Sequence, residues 1–561
     1  MESQRFRRVL LALAVVLAAG FFLATRGYWV AADAGVDENA YLVAGKLLAR
    51  TGSPGFVPPD PYSLVGKMWI GTREGRFYPK YPLGQPLLVA LAVKTAGLRA
   101  AYWISPLLMT LALLGVFLLG REIAGSFAGL LAMIAMAASP ATLNEVNDPD
   151  SHASSLCCTT WGMLLLLRWW RTGRLHHAAL AGLLLGYSAI IRYTEGLLLL
   201  PVALVVLFRC RQDRRALGGA AALAAGWLAP VAGQVLFSLR ALHSLTGYDT
   251  THESTAFSLA YFVHNALPTA RLLFTLGLPI LLFLGVLGLA VMAFREGRPA
   301  AVLCAWLLPN LLLYTAYYWG LQTDTVNCLR FFLTILPPLA LGAAWLLTRP
   351  WPAERPLRWP QMAVALALFL TCAGIGVRRA LPLFWDDWQE ALDMERGGKE
   401  VLAFAPPGSA VLGPQNEILH LQFAGDYRLY SRNLFVHHFI AELGRIDGRA
   451  PNALQPERAQ ALFSRLRGRS RPELARLERD LMAAQLRQGR RVFLLSPVQN
   501  QHWLEFANPG LDAADGLRFA TRRLALWRGP GEERPDGERE PGGADWQLLE
   551  VTVAPRVEEK P

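Results

Sequence analysis

The sequence predicts an all-α polytopic membrane bundle of eleven transmembrane helices, followed by a small soluble α/β domain. Three observations predict it. Of 561 residues, 53% are hydrophobic and 17% charged, and the mean hydropathy is +0.28, too apolar for a water-soluble chain. The long uncharged runs lie in residues 1–379, whereas 380–561 reads as an ordinary soluble sequence. Charge divides at the same place: 31 Lys and Arg against 17 Asp and Glu up to Arg379, then 24 against 26. A pI of 9.6 would suit nucleic acid if the basic residues covered a soluble face. Here the whole basic excess sits in the apolar part, which excludes nucleic acid as the partner and fits the positive-inside bias of a membrane protein.

A bilayer core about 30 Å thick needs about 20 apolar helical residues. The runs that approach this are 9–25, 101–120, 125–143, 153–167, 175–191, 195–208, 216–239, 272–294, 299–319, 331–348 and 361–377. Runs 153–167 and 195–208 need flanking residues to complete a crossing. Arg5, Arg7 and Arg8 precede the first run as in a signal peptide, but ten more runs follow, so it reads as an uncleaved span. The run 83–98, with Pro82, Pro86 and Lys94 in or beside it, is ambiguous, and the loops decide it. If it does not cross, loops 1–8, 121–124, 168–174, 209–215, 295–298 and 349–360 share one side and hold sixteen arginines. The opposite short loops hold only Arg192, Arg240, Arg271 and Arg330. A crossing at 83–98 would invert that bias. The N-terminus is therefore expected in the cytoplasm of a plasma (inner) membrane protein, with the long first loop, 26–100, and the C-terminal domain outside.

Two modules follow: a membrane module over 1–379 and an extracytoplasmic α/β domain over 380–561. In the second, Ser409–Gly413, Tyr427–Ser431, Arg491–Ser496, Arg523–Trp527 and Trp546–Thr552 read as strands and Gln455–Gln488 as mostly helix. Segment 529–544, rich in Gly, Pro and charge, reads as a flexible loop. His437 and His438 read as surface residues. The six cysteines all lie in or beside apolar runs and offer neither a disulfide framework nor zinc spacing.

Twelve of the 17 acidic residues before Ala380 fall on the outer face. Asp37 and Glu38 stand just after the first span; adjacent carboxylates at a membrane surface are costly to desolvate together, so they bind a cation or take a proton. A helix N-terminal turn is the alternative reading of the pair. Between the third and fourth spans, Asn144-Glu145-Val146-Asn147-Asp148-Pro149-Asp150-Ser151-His152 sets Asp148 and Asp150 two apart, suited to a metal or a pyrophosphate-like group, or to a plain turn. No metal ligand set is assigned, although this acidic outer face is the candidate place for a divalent cation. Lys80, Arg192 in Arg192-Tyr193-Thr194-Glu195, and Arg330 are outer-face cations. They suit a lipid phosphate, which arginine clamps through its planar fork, or they snorkel to the interface.

These residues carry a resemblance. Asp37-Glu38-Asn39-Ala40-Tyr41 after a first span, then Tyr78-Pro79-Lys80-Tyr81-Pro82-Leu83-Gly84-Gln85-Pro86, then Gly120-Arg121-Glu122, Ser139-Pro140, and Arg330 with Leu336-Pro337-Pro338 follow in order. Over 9–348 the chain resembles the GT-C polytopic glycosyltransferases, of the protein-mannosyltransferase-like and aminoarabinose-transferase-like branch. The resemblance implies a polyprenyl-phosphate-linked sugar donor and transfer to a lipid, glycan or protein acceptor at the outer face, with inversion at the anomeric carbon. It implies Asp37 as base, with Glu38 the alternative, and Asp148 or Asp150 as the second acidic residue. Tyr41, Lys80, Tyr81, Arg192, Glu195 and Arg330 would line the substrate, the cations meeting the lipid phosphate. Aminoarabinose-type enzymes have Lys-Pro-Pro where this chain has Lys80-Tyr81-Pro82. Two other classes use the same lipid-linked sugars. A transporter or flippase of lipid-linked sugar would carry midplane ionisable groups and internal repeats, but these spans are nearly free of acids and no repeat is evident. An O-antigen-type polymerase or ligase would place its long loop late in the bundle, whereas here the first loop is the long one.

Overall fold

The structure, a computed structural model, describes residues 3–32, 35–66, 68–72, 74–245, 257–317, 328–349, 359–432, 465–466, 468–498, 519–529 and 543–553. In chain order, helix α1 (Gln4–Arg26) is followed by α2 (Val36–Thr51), strands β1 (Trp69–Gly71) and β2 (Phe77–Pro79), and α3 (Gly84–Ala96). Next come α4 (Ile104–Ala124), α5 (Ser126–Ala137), the single-turn α6 (Pro140–Asn144), α7 (His152–Thr172), α8 (Leu175–Ile191), α9 (Leu199–Gln212) and α10 (Leu217–Leu242). Then follow α11 (Leu259–Leu272), α12 (Leu281–Arg295), α13 (Gly297–Thr315), α14 (Leu336–Thr348) and the long α15 (Trp359–Phe404). The remainder is β3 (Ala410–Gly413), α16 (Gln415–Ala424), β4 (Arg428–Ser431), α17 (Arg471–Arg487), β5 (Val492–Pro497), β6 (Phe519–Gly529) and β7 (Ala544–Val553). The chain forms two compact units: 1–29, 81–88 and 102–387, and 30–80, 89–101 and 388–561.

The first unit is helical. Among the described residues, every apolar run expected to span lies largely on helix, but not always on one helix of crossing length. Among the described residues, six helices are long and apolar enough to cross: Gln4–Arg26, Leu98–Ala124, Tyr193–Gln212, Arg214–Leu242, Leu329–Thr348 and Trp359–Phe404. A seventh is the pair Leu259–Gly277 and Leu281–Arg295 taken together, bent by 108°. Two runs read as single spans are divided. Ser139–Pro140 closes α5 after 12 residues, about 18 Å at 1.5 Å per residue, and the proline starts α6 because an N1 proline needs no intrahelical N–H partner. Run 272–294 breaks at Leu278–Ile280, where Ile280 holds a φ of +63°, a costly conformation for a β-branched residue.

Close helix contacts rest on small residues. A Cβ at Gly288 would fall 2.0 Å from the Gly342 carbonyl oxygen, and one at Gly182 would fall 2.0 Å from that of Leu223. Glycine thus lets α12 meet α14, and α8 meet α10, backbone to backbone, as apolar helices do where hydrophobic burial gives little drive. Trp169, Trp306 and Trp345 fill the interior between them, fully buried. All six cysteines are free, consistent with apolar packing.

The second unit holds the sheet, ordered β4-β3-β5-β7-β6. β4, β3 and β5 run parallel; β7 is antiparallel to both β5 and β6. β3 and β5 are buried at every position, which matches their continuous apolar sequence, as a strand covered on both faces requires. Helix α17 opens on a reciprocal capping box between Ser470 and Glu473. The five strands expected in the C-terminal segment are these five. Segment 455–464, His437 and His438, and residues 530–542 of the expected flexible loop lie outside the described residues. First-loop residues belong to this unit: the Leu64 amide donates to the Leu429 carbonyl at 2.7 Å, and Tyr430 Oη donates to Asp60 Oδ2 at 2.6 Å.

Candidate functional site

The site is built where three irregular segments of the first unit converge: the 144–152 loop, the 3₁₀ turn Tyr193–Leu198 after α8, and the 3₁₀ turn Leu329–Ile335 before α14. Each segment has a local reason to leave regular helix. Pro149 closes the first, and Asp150 then starts α7 by accepting the His152 amide on Oδ1 at 2.8 Å, a carboxylate placed favourably at a helix N-terminus. Arg192 ends α8 in extended conformation, φ −140°, which turns its side chain off the helix.

Arg192 is the hub. Its Nη1 donates to His152 Nε2 at 3.0 Å and to Ser151 Oγ at 3.3 Å, and its Nη2 to Tyr314 Oη at 2.9 Å. Tyr314 Oη also meets Thr194 Oγ1 at 2.6 Å. The guanidinium lies 5.4 Å from the centre of the Phe331 ring and 5.9 Å from that of Tyr314, and those two rings stack at 5.2 Å. Arg330 stands 5.4 Å from the same Phe331 ring. Phe331 therefore carries a cation from each of two turns, and cation–π contact strengthens as water is excluded.

Beside this hub, Glu145, Asp150 and His152 are all buried, with their ligating atoms within 4.8 Å of one another. The Glu145 and Asp150 carboxyls are close neighbours, and burial pushes the Glu145 carboxyl above its ordinary range while Arg330 pulls it down. His152 Nε2 sits 3.0 Å from Asp150 Oδ2 and also accepts from Arg192. The ring is held in addition by the Arg330 backbone. If its other nitrogen donates there, the single Nε2 lone pair is the one that accepts from Arg192 beside the Asp150 carboxylate, and a cation would bind it only in place of that N–H. Two carboxylate oxygens and an imidazole nitrogen suit a divalent ion such as zinc or manganese, and a ligating histidine commonly donates its other N–H to a backbone carbonyl. The residues therefore fit a cation once Arg192 turns off His152 Nε2.

Of the residues singled out in the sequence, the structure brings Asp150, Arg192 and Arg330 together here, with Asp148 on the same loop and half-buried. Glu195 lies deeper: its carboxylate accepts from Thr334 at 3.0 Å and from Asn310 at 3.5 Å and is 1% exposed. It ties the 193–198 turn to the 329–335 turn and α13. Tyr81 belongs to this unit and is half-buried. Asp37, Glu38, Tyr41 and Lys80 belong to the second unit: Asp37 and Glu38 form the first turn of α2, Tyr41 is buried on it, and the Lys80 amide pairs with the Met68 carbonyl at 2.9 Å. Glu145 and the Tyr314–Phe331 pair were not predicted as site residues. A tyrosine at the end of an apolar run was the available signal, but it is shared by every interfacial tyrosine.

Residues 81–233 match the sequence model of the dolichyl-phosphate-mannose-protein mannosyltransferase family. No curated protein matches the chain. Among solved structures, ArnT from Cupriavidus metallidurans bound to undecaprenyl phosphate is similar at 12% identity and a TM-score of 0.52, over 96% of this chain and 97% of that one. The Archaeoglobus fulgidus oligosaccharyltransferase in its apo form aligns at 14% identity and a TM-score of 0.48, over 89% of this chain and 70% of that one. The chain thus has the GT-C fold of polytopic membrane glycosyltransferases, and its segment 81–233 is similar to the protein-mannosyltransferase family.

Proposed function

We propose that this protein is a membrane glycosyltransferase that moves a sugar from a polyprenyl-phosphate-linked donor to an acceptor at the outer face of the membrane, with inversion. The observation that carries the reading is Arg192: a fork-shaped cation at the end of a membrane helix, backed by aromatic rings and held by the hydroxyls of Ser151 and Tyr314. Such a group recognises a phosphate oxygen bidentately. The membrane helices on which it stands would hold the isoprenoid tail of the same molecule.

In the proposed reaction the acceptor hydroxyl attacks the anomeric carbon, and the bond from that carbon to the phosphate oxygen breaks with its electron pair leaving on the phosphate. Arg192, assisted by Arg330, holds the leaving phosphate, whose charge grows as the bond breaks. The acceptor proton goes to a carboxylate; the sequence resemblance assigns that role to Asp37, with Glu38 the alternative. Glu145, Asp150 and His152 would hold a divalent cation, which would add positive charge for a departing phosphate.

The test is direct. Purified protein is extracted and its lipids analysed by mass spectrometry, and sugar transfer from a synthetic polyprenyl-phosphate sugar is followed in proteoliposomes. Bound polyprenyl phosphate together with release of free polyprenyl phosphate on turnover supports the reading. Movement of intact donor across the bilayer without cleavage would make it a flippase instead.

A further inference from the structure

Helix α2 carries Asp37 and Glu38 on its first turn, and it is fastened to α16 by an unusual contact. Lys46 is 5% exposed. Its ammonium donates to the carbonyls of Gln422 and Gly425, the former at 3.1 Å, and sits 3.1 Å from Asp426 Oδ1. α16 ends at Ala424, so these are carbonyls that a helix C-terminus leaves without intrahelical partners, and a cation there also meets the negative end of the helix dipole. Burial draws the Lys46 pKa down, and Asp426 opposes the shift. Asn39, buried seven residues earlier, donates from Nδ2 to the Leu419 carbonyl at 3.0 Å. Arg50 closes the row on Asp426 at 2.6 Å.

Positions 39, 46 and 50 share one face of an α-helix, whereas Asp37 lies about 200° around the axis from Asn39 at about 100° per residue. One face of α2 is therefore committed to α16, and the opposite face presents Asp37. A lysine buried on a hydrophobic surface alone would be costly; this one is satisfied only when α2 and α16 are in register, so it selects a single axial position and rotation.

We propose that Lys46, with Asn39 and Asp426, is a positioning latch through which the C-terminal sheet domain sets the placement of the Asp37–Glu38 turn, which makes that domain part of the catalytic apparatus. The inference rests on the reading that a first-loop carboxylate is the base. Lys46 touches no substrate and acts through α2.

The experiment compares full-length wild type with Lys46→Met and Asp426→Asn in the polyprenyl-phosphate-sugar assay, and follows amide hydrogen exchange over residues 36–51. Misplacing a catalytic group by about 1 Å costs on the order of a hundredfold, so Lys46→Met should lose about tenfold to a hundredfold in kcat at an unchanged donor KM, with faster exchange in 36–51. Lys46→Arg should recover part of both. Asp426→Asn, which leaves the carbonyl contacts of Lys46 in place, should lose less, and it keeps the test usable if Lys46→Met fails to fold. Wild-type kcat in Lys46→Met overturns the latch, as does a fall in kcat without faster exchange. Failure of the base reading is seen separately, as normal turnover in both Asp37→Asn and Glu38→Gln; the exchange measurement still reports whether α2 is held.

Discussion

Removing the Arg192 guanidinium separates a phosphate clamp from an interfacial anchor. In the structure Nη1 and Nη2 are engaged by His152, Ser151 and Tyr314, so the fork is held in one orientation before any ligand arrives. Little side-chain entropy remains to be lost on binding, which favours a strong contact. A hydrogen bond to a charged group contributes about 1.5–3 kcal/mol, and each 1.4 kcal/mol is about tenfold in affinity. Arg192→Ala should therefore weaken polyprenyl phosphate binding by about tenfold to a hundredfold. Arg192→Lys keeps the charge but cannot span His152 and Tyr314 at once, since an ammonium lacks the planar fork; it should fall between wild type and alanine. Tyr314→Phe removes one neutral partner of the guanidinium, about 0.5–1.5 kcal/mol or roughly twofold to tenfold.

Arg330 should matter less, because part of its field is spent on Glu145. The measurement is equilibrium binding of undecaprenyl phosphate to detergent-solubilised protein, with size-exclusion profile and melting temperature as controls for folding. Unchanged affinity in both Arg192→Ala and Arg330→Ala, in well-folded protein, would refute the phosphate assignment and leave the two arginines as snorkelling residues.

Asp37→Asn should abolish most transfer, by about 10²–10⁴ as general-base loss does, while donor binding persists. Glu38→Gln should be milder; a dead Glu38→Gln with an active Asp37→Asn would exchange the two roles. Topology reporters should read outside after residues 99 and 379 and inside after Arg215; an inside signal at 99 with an outside one at 215 would overturn the orientation. Asp150→Asn should lower both the metal content by elemental analysis and the chelator sensitivity of turnover, and equal metal content in mutant and wild type would dismiss the Glu145–Asp150–His152 cluster as a cation site. In the sheet domain, burial pushes the Glu478 carboxyl from 4.5 up to about 7 against the pull of Arg432, 3.4 Å away. A folded pKa above the unfolded value makes stability fall as pH rises from about 4.5 to about 7. Glu478→Gln should flatten that part of the melting-temperature profile, and an unchanged slope would show that another group sets it.

How much was legible follows from which forces act locally. Hydropathy and strand alternation are properties of short windows, so the apolar runs became helices and the five C-terminal strands appeared where their patterns lie. Breaks inside a run are less visible, because a window average passes over them: Ser139–Pro140 is readable as a helix stop, whereas nothing near Ile280 marks its positive φ except the neighbouring Gly277 and Pro279. Charge placement was legible for a different reason. A charge beside a membrane run must be solvated, paired or used, so Asp150, Arg192 and Arg330 stood out from their apolar surroundings. The neutral members of the same site did not, since the role of Tyr314 and Phe331 is fixed by a stack between turns far apart in sequence. Lys46 shows the remaining limit. In sequence it is an ordinary lysine in an ordinary helix, Val36–Thr51, and its partners are carbonyls and a carboxylate some 376 or more residues away. Only the buried end of another helix makes its charge necessary, and local pattern cannot report a partner that the fold alone supplies.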